Sequence, residues 1–254
     1  MENLEKIIKK IENFAPPELA SDWDNSGWQI YLGNNSVKKV LLALTCTLDV
    51  VNQAIKNDCD LIISHHPLLF EKVNKLSTEN SAFLPVIKAI QHNIQVYSAH
   101  TNLDSTKGGI ADKLAELLSL KNIAFLEKDL EDSQLGRIGE LQEAKELDLF
   151  IKELKEILQI SKIKLTNYSN KTKIKKIAVV PGGGASFIPK LKNIDVFITG
   201  DVKYHNALES KDFVVIDTGH FETERIILPV LKEILDEFCL KIIIAEENSP
   251  WEIL

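Results

Sequence analysis

Cysteine is scarce in this chain: three among 254 residues, at positions 46, 59 and 239, none in a Cys-x-x-Cys spacing. An odd, scattered set cannot all pair, which excludes a disulfide framework and a thiolate zinc site. Cys46, Cys59 and Cys239 are therefore predicted to be thiols acting as small hydrophobes in a reduced cytoplasm. Long cationic runs are also missing. Thirty Lys and Arg stand against 37 Asp and Glu, a net charge of −7, so there is no cation coverage for non-specific nucleic-acid binding. The longest apolar runs, such as KKVLLALTCTLDVV, are too short and interrupted to span a bilayer. The opening MENLEKIIKKIENF is an amphipathic charged helix without the apolar centre of a signal peptide. What is present is ordinary globular composition, 44% hydrophobic and 26% charged. The length suits one large domain or two smaller ones.

The pattern along the chain is α/β. A helix over about 2–13 ends near Pro16-Pro17 and is followed by the polar, aromatic loop SDWDNSGWQIYLG. Buried strands are predicted at KKVLLALT, DLIISHHP and IQVYSAH, with helices at DVVNQAIKND and SAFLPVIKAIQHN between them. After the loop TNLDSTKGG comes a helix, IADKLAELLSL. A weaker region, 120–172, holds a short strand near LGRIGEL and the charged helix ELDLFIKELKEILQI. The βαβ pattern then restarts with KKIAVVPGGG, FIPKLKNI, DVFITGD, HNALESKD and FVVIDTGH, and closes with the helix ERIILPVLKEILDEF and the strand LKIIIAEE.

The two βαβ runs align with almost no gaps. KKVLLALT lies on KKIAVVPG, and VYSAHTNLD on VIDTGHFETE, which sets His100 against His220 and Asp104 against Glu224. The predicted architecture is two similar halves of mixed sheets with covering helices, related by internal duplication. The first half is assigned 1–125, with His65, His66 and Asp104, and the helix and strand of 225–254 packing back on it. The second half is 126–224, with His220 and Glu224.

Ligands of open α/β sheets bind at the carboxyl ends of strands. Ser64-His65-His66-Pro67, His100 to Asp104, Gly200-Asp201 and Gly219 to Glu224 all follow predicted strands. Successive side chains at a strand end point apart, so His65 and His66 are suited to two separate ions. Two adjacent ions normally need a bridging carboxylate. Asp104 and Glu224 supply carboxylates and His220 a third imidazole, four residues before Glu224 and on the same face of any helix starting there. An imidazole–carboxylate set suits Zn, Mn, Fe or Ni, which it does not distinguish, better than Ca or Mg. An isolated His-His-Pro would more simply pack or cap a strand end; the three motifs together favour metal.

Other residues carry weaker signals. His100 is either an orienting partner, a proton donor or a hydrogen-bonded strand-end histidine. His205 and Asp201 are placed to line the same site, with His205 a second proton-donor candidate. Asp24, Asn25 and Trp28 form a cavity wall or a packed loop, and His92 falls in an exposed turn. Gly182-Gly183-Gly184, and Gly108-Gly109, resemble phosphate cradles but lack the full GxGxxG or GKS pattern, so tight βα turns are the simpler reading.

DWDNSGWQIYLG, DLIISHHPLLF, SAHTNLDSTKGGIADKLAELL, ITGDVKYHNALE and VIDTGHFETER occur in this order between Asp22 and Arg225. With them the chain resembles the Nif-three-like family, whose members are often called GTP cyclohydrolase 1 type 2. The resemblance implies a dinuclear site at His65, His66, Asp104, His220 and Glu224, with Glu224 bridging. His65 and Asp104 would complete one ion, and His66 and His220 the other. It further implies two α/β halves, a toroidal homohexamer, and hydrolytic opening of the GTP imidazole ring with formate release. A metal-dependent hydrolase with a nucleotide substrate is the leading expectation. A non-catalytic metal-binding scaffold, a regulatory or metal-handling protein, and a two-metal phosphoesterase stand beside it.

Overall fold

The computed structural model describes residues 1–126, 133–170 and 172–252. Its contacts divide the chain into two units. One comprises Met1–Thr106 with Ile227–Asn248, the other Lys107–Ile226 with the segment from Ser249.

The first unit begins with β1 (Glu2–Asn3) and α1 (Leu4–Phe14). Leu4, Ile7, Ile8 and Ile11 recur at helical spacing and are buried. Asn3 caps the start, its side chain accepting from Lys6 N at 3.1 Å. Pro16 and Pro17 end the helix by withholding amide donors. Then come β2 (Gly27–Ile30), β3 (Ser36–Val37), β4 (Lys39–Thr45), α2 (Leu48–Lys56), β5 (Leu61–His66), α3 (Leu84–Gln91), β6 (Gln95–Ser98) and α4 (Thr101–Ser105). The second unit holds α5 (Ile110–Leu117), β7 (Lys121–Phe125), β8 (Arg137–Glu146), α6 (Leu147–Leu158), β9 (Lys164–Leu165), β10 (Lys173–Val179), β11 (Val196–Thr199), α7 (Tyr204–Glu209), β12 (Val214–Asp217) and α8 (His220–Glu224). The chain then returns to the first unit with α9 (Leu228–Leu235) and β13 (Lys241–Ile244).

The first unit's main sheet has the order β13-β4-β5-β6-β2, the second unit's β7-β8-β10-β11-β12-β9. β4, β5 and β6 run parallel, with antiparallel β2 on the edge. β10, β11 and β12 also run parallel, with antiparallel β9 on the edge. The same order appears twice, with the strands the alignment paired. Val40 to Leu44 and Val196 to Ile198 are buried throughout, as parallel strands covered on both faces require. Cys46 and Cys59 pack as apolar groups in the first core, where burial pushes their thiols up to about 12 and about 11 respectively.

Five expectations need correction. Cys239, expected to be a small buried hydrophobe like the other two cysteines, is exposed. The first half ends at Thr106, not at 125. The reason is α5, whose Leu114 and Ala115 join Ile177 and Val196 in the second core. The segment FIPKLKNI, read as the covering element between two strands, forms no α-helix; a 3₁₀ turn, Gly184–Phe187, ends on its first residue, and Pro189 removes a donor just beyond it. TNLDSTKGG is not all loop, because α4 occupies its first five residues. The strand near LGRIGEL runs on to Glu146 as β8. Its polar second half is carried by antiparallel pairing with β10, which needs no buried face. Of the C-terminal segment 225–254, residues 253 and 254 lie outside the described residues.

Candidate metal centre

β5 delivers His65 and His66 at its carboxyl end. His65 is fully buried, and its Nδ1 donates to the carbonyl of Ala99 at 2.9 Å. A carbonyl only accepts, so Nδ1 carries the hydrogen and the neutral ring keeps its lone pair on Nε2. That Nε2 lies 3.9 Å from Oδ1 of Asp104 on α4. A lone pair turned on a carboxylate is repulsive without a cation between them, and an imidazole–carboxylate pair is a common ligand set for such a cation. Nδ1 of His66 is 2.8 Å from Thr45 Oγ1, a hydroxyl able to give or take the shared hydrogen.

Strand alternation alone would turn His65 and His66 apart, yet their ring centroids are 4.8 Å apart. The strand ends there. The hydroxyls of Ser64 and Ser98 donate to the carbonyl of His66, at 2.9 and 3.2 Å, in place of a ladder amide. His100 joins the pair, its centroid 5.1 Å from His65 and 5.6 Å from His66. One ligand atom from each of these three residues lies within 4.8 Å of the others, so they form a group able to hold a metal ion.

Asp24 fixes His100. Its carboxylate accepts from His100 Nδ1 at 2.7 Å, Thr101 N at 3.1 Å, Thr101 Oγ1 at 2.6 Å and Ser26 Oγ at 2.7 Å. Burial by itself would raise the Asp24 pKa, but these hydrogen bonds, led by that from His100, hold it far below the ordinary carboxylate range.

In the second unit α8 presents His220 and Glu224 one turn apart, with His220 Nε2 3.0 Å from Glu224 Oε2. His220 Nδ1 donates to Asp201 Oδ2 at 2.7 Å. Burial alone would lower the His220 pKa, but Glu224 and then Asp201 outweigh it and push it up to about 9. Both nitrogens thus face carboxylates, an arrangement that calls for a positive charge at Nε2, whether a proton or a metal ion. The Nδ1-to-carboxylate contact is the usual support of a metal-bound histidine. Glu224 is 4% exposed and needs such a partner as well. These donors fit a divalent metal in chemistry and in support.

The glycine run 182–184 serves this carboxylate. Gly182 has φ +64°, and a Cβ there would come 1.9 Å from Glu224 Oε1. Its amide donates to Thr223 Oγ1 at 2.9 Å. The run is a tight turn that admits Glu224. His205 sits exposed on α7 with its ring 5.3 Å from that of Tyr204, and His92 is the exposed C-cap of α3. Trp28 packs edge-on to Tyr97 at 5.3 Å. Thr45 carries no signal in the sequence. Asp24 reads in the sequence as part of a loop, and the signal that could single it out is Asp-Asn-Ser, a segment prone to side-chain–backbone bonding.

The family model for DUF34/NIF3 (NGG1p interacting factor 3) matches residues 2–250. The chain belongs to the DUF34/NIF3 family. A relative from Clostridium perfringens, named GTP cyclohydrolase 1 type 2 homolog, is 35% identical over 261 residues, 99% of each chain. NGG1-interacting factor 3 of Saccharomyces cerevisiae is 30% identical, covering 96% of this chain and 94% of that one. Among solved structures, a Staphylococcus aureus hypothetical protein superposes with a TM-score of 0.87 at 28% identity over 99% of both chains. The two-half α/β architecture is that of the DUF34/NIF3 proteins. Among the described residues, no helix is long and apolar enough to cross a membrane.

Proposed function

We propose that this DUF34/NIF3 protein is a dinuclear metal-dependent hydrolase acting on a nucleotide. One observation carries the reading: His65 and His220 each commit Nδ1 to a fixed acceptor and turn Nε2 on a carboxylate borne by a one-turn helix. His65, His66, Asp104, His220 and Glu224 are the proposed ligands of two divalent ions, with Glu224 serving both as the family resemblance implies. Ions so bound lower the pKa of water enough to furnish a hydroxide nucleophile near neutral pH.

The chain's own residues do the remaining work. Ala99, Thr45 and Asp201 fix the imidazoles through Nδ1. Asp24 holds the His100 ring so that Nε2 is left to give or take a proton at the reacting group. The name of the Clostridium relative supports GTP as the substrate. The reaction then consumes two waters: one adds at C8 of guanine and opens the imidazole ring to a formamide, and a second hydrolyses the formamide to formate and a free amine.

The test is to incubate metal-loaded protein with GTP and measure formate, with elemental analysis of the same sample. Two ions per chain and formate release are expected, and Asp104→Asn should lose at least about 100-fold in rate. Two ions with no formate from any nucleotide would leave a metal-handling role. Release of phosphate instead would indicate a phosphoesterase. The family resemblance also supports a homohexamer, which light scattering measures directly; a particle of 28.6 kDa would refute it.

A further inference from the structure

We infer that Trp23 and Phe70 form a stacking platform for the planar heteroaromatic ring of the substrate, a purine-type base. This deepens the preceding proposal and rests on reading the histidine cluster as a catalytic site.

Trp23 is 55% exposed and Phe70 57% exposed. Single exposed aromatics are common on protein surfaces and mean little. These two differ in placement and in how they are held. With His100 they make a nearly equilateral triangle of ring centroids, 6.1 Å between Trp23 and Phe70, 6.0 Å from Trp23 to His100, and 6.3 Å from Phe70 to His100. The same His100 ring lies beside both His65 and His66, so His100 links the two exposed rings to the proposed ligands. The planes are inclined at 53°, 79° and 82°. Trp23 and Phe70 are therefore tilted to each other and edge-on to His100, and do not stack on one another as a closed sandwich.

The backbone behind each ring is also pinned. Asp24, next to Trp23, is tied to Ser26, His100 and Thr101. Asn25 Nδ2 donates to the carbonyl of Leu69, next to Phe70, and Leu69 N donates to Gln29 Oε1 at 3.0 Å. The loop carrying Trp23 and the segment carrying Phe70 are thus fastened to each other at residues adjoining both aromatics. Two large aromatic side chains held on fixed backbone, more than half exposed and beside a proton-transfer histidine, are preorganised to receive a flat ring. Stacking suits this duty because any base offers a π-face, whichever edge the catalytic groups engage.

The test is calorimetric binding of guanosine and adenosine to the metal-loaded protein, with ribose as the ring-free control and metal content measured on every sample. Wild type should bind the nucleosides and not ribose. Trp23→Ala and Phe70→Ala should each weaken nucleoside binding about tenfold or more, with metal content unchanged. Trp23→Phe should retain most of the affinity, and Trp28→Ala, at an aromatic packed on Tyr97, should bind as wild type does. Failure of wild type to bind any nucleoside, or equal binding by Phe70→Ala and wild type, overturns the inference. Should Trp23→Ala fail to fold, Trp23→Phe and Phe70→Ala still decide. Nucleoside binding that depends on Trp23 and Phe70 in a protein lacking bound ions would sink the metal reading and leave the platform standing.

Discussion

The carboxylate of Glu224 occupies the space that a side chain at position 182 would need, with Oε1 1.9 Å from where a Cβ would stand. Gly182→Ala therefore has to displace Glu224 or move the turn, and it must also hold φ near +64°, a region costly for non-glycine residues. The variant should lose about 1–3 kcal/mol of stability, together with most of its metal. Thermal denaturation and elemental analysis check both. A stable Gly182→Ala protein with full metal content would show that the turn has another purpose.

Asp201 Oδ2 accepts from His220 Nδ1, the ring nitrogen turned away from Glu224. Asp201→Asn keeps the shape but loses the charge that orients the ring. Supporting partners of this kind typically contribute 10–100-fold to metal affinity. The expected outcome of a chelator competition is a loss in that range, with an unchanged circular dichroism spectrum. Unaltered affinity would remove Asp201 from the site.

Asp24 links acidity to folding. Its pKa is depressed in the folded protein, so its stabilising contribution is present above the ordinary carboxylate value. That contribution is lost as pH falls through the ordinary range toward the folded value. Melting temperatures should drop more steeply between about pH 5 and pH 3 for wild type than for Asp24→Asn. At neutral pH the variant should be less stable by about 1–3 kcal/mol. Parallel pH profiles would mean that Asp24 is not the responsible group.

In the second unit, Arg137 is 2% exposed and grips Asp112 through Nε at 2.6 Å and Nη2 at 3.0 Å. Its guanidinium also lies 4.2 Å from the Phe125 ring centre. Asp112→Ala should cost about 3–5 kcal/mol, because a buried cation loses its counter-charge. The double variant Asp112→Ala, Arg137→Met should recover part of the loss. Urea denaturation curves for the three proteins measure this, and an additive double variant would contradict the pairing.

The parts legible in the sequence were those with a strong local period or an uncommon residue. Val40 to Leu44 and Ile7-Ile8-Ile11 announce a buried strand and a one-sided helix by spacing alone. The position of His65-His66 and of His220 to Glu224 at the carboxyl ends of strands is legible in the same way, since each follows an apolar run. The rest depends on partners remote in sequence. β8 runs through polar residues because β10 supplies its hydrogen bonds, and nothing within RIGELQEAKE encodes that. α5 reads the same whichever core it covers, so the boundary at Thr106 was hidden. The need for Gly182 appears only once Glu224, 42 positions later in the numbering, is folded against it.

The strand that completes the first sheet is the last made. β13 pairs with β4 from Lys241↔Lys39 to Ile244↔Leu42, so β4 has one bare edge until those residues leave the ribosome. The second unit, by contrast, has all six of its strands between Lys107 and Ile226. At about 5–20 residues per second, the first unit waits on the order of ten seconds after Thr106 before its sheet can close. During that interval the edge of a strand whose centre, Val40 to Leu44, is apolar is open to any chain able to pair with it. The order of synthesis therefore makes the first unit the later of the two to complete its sheet.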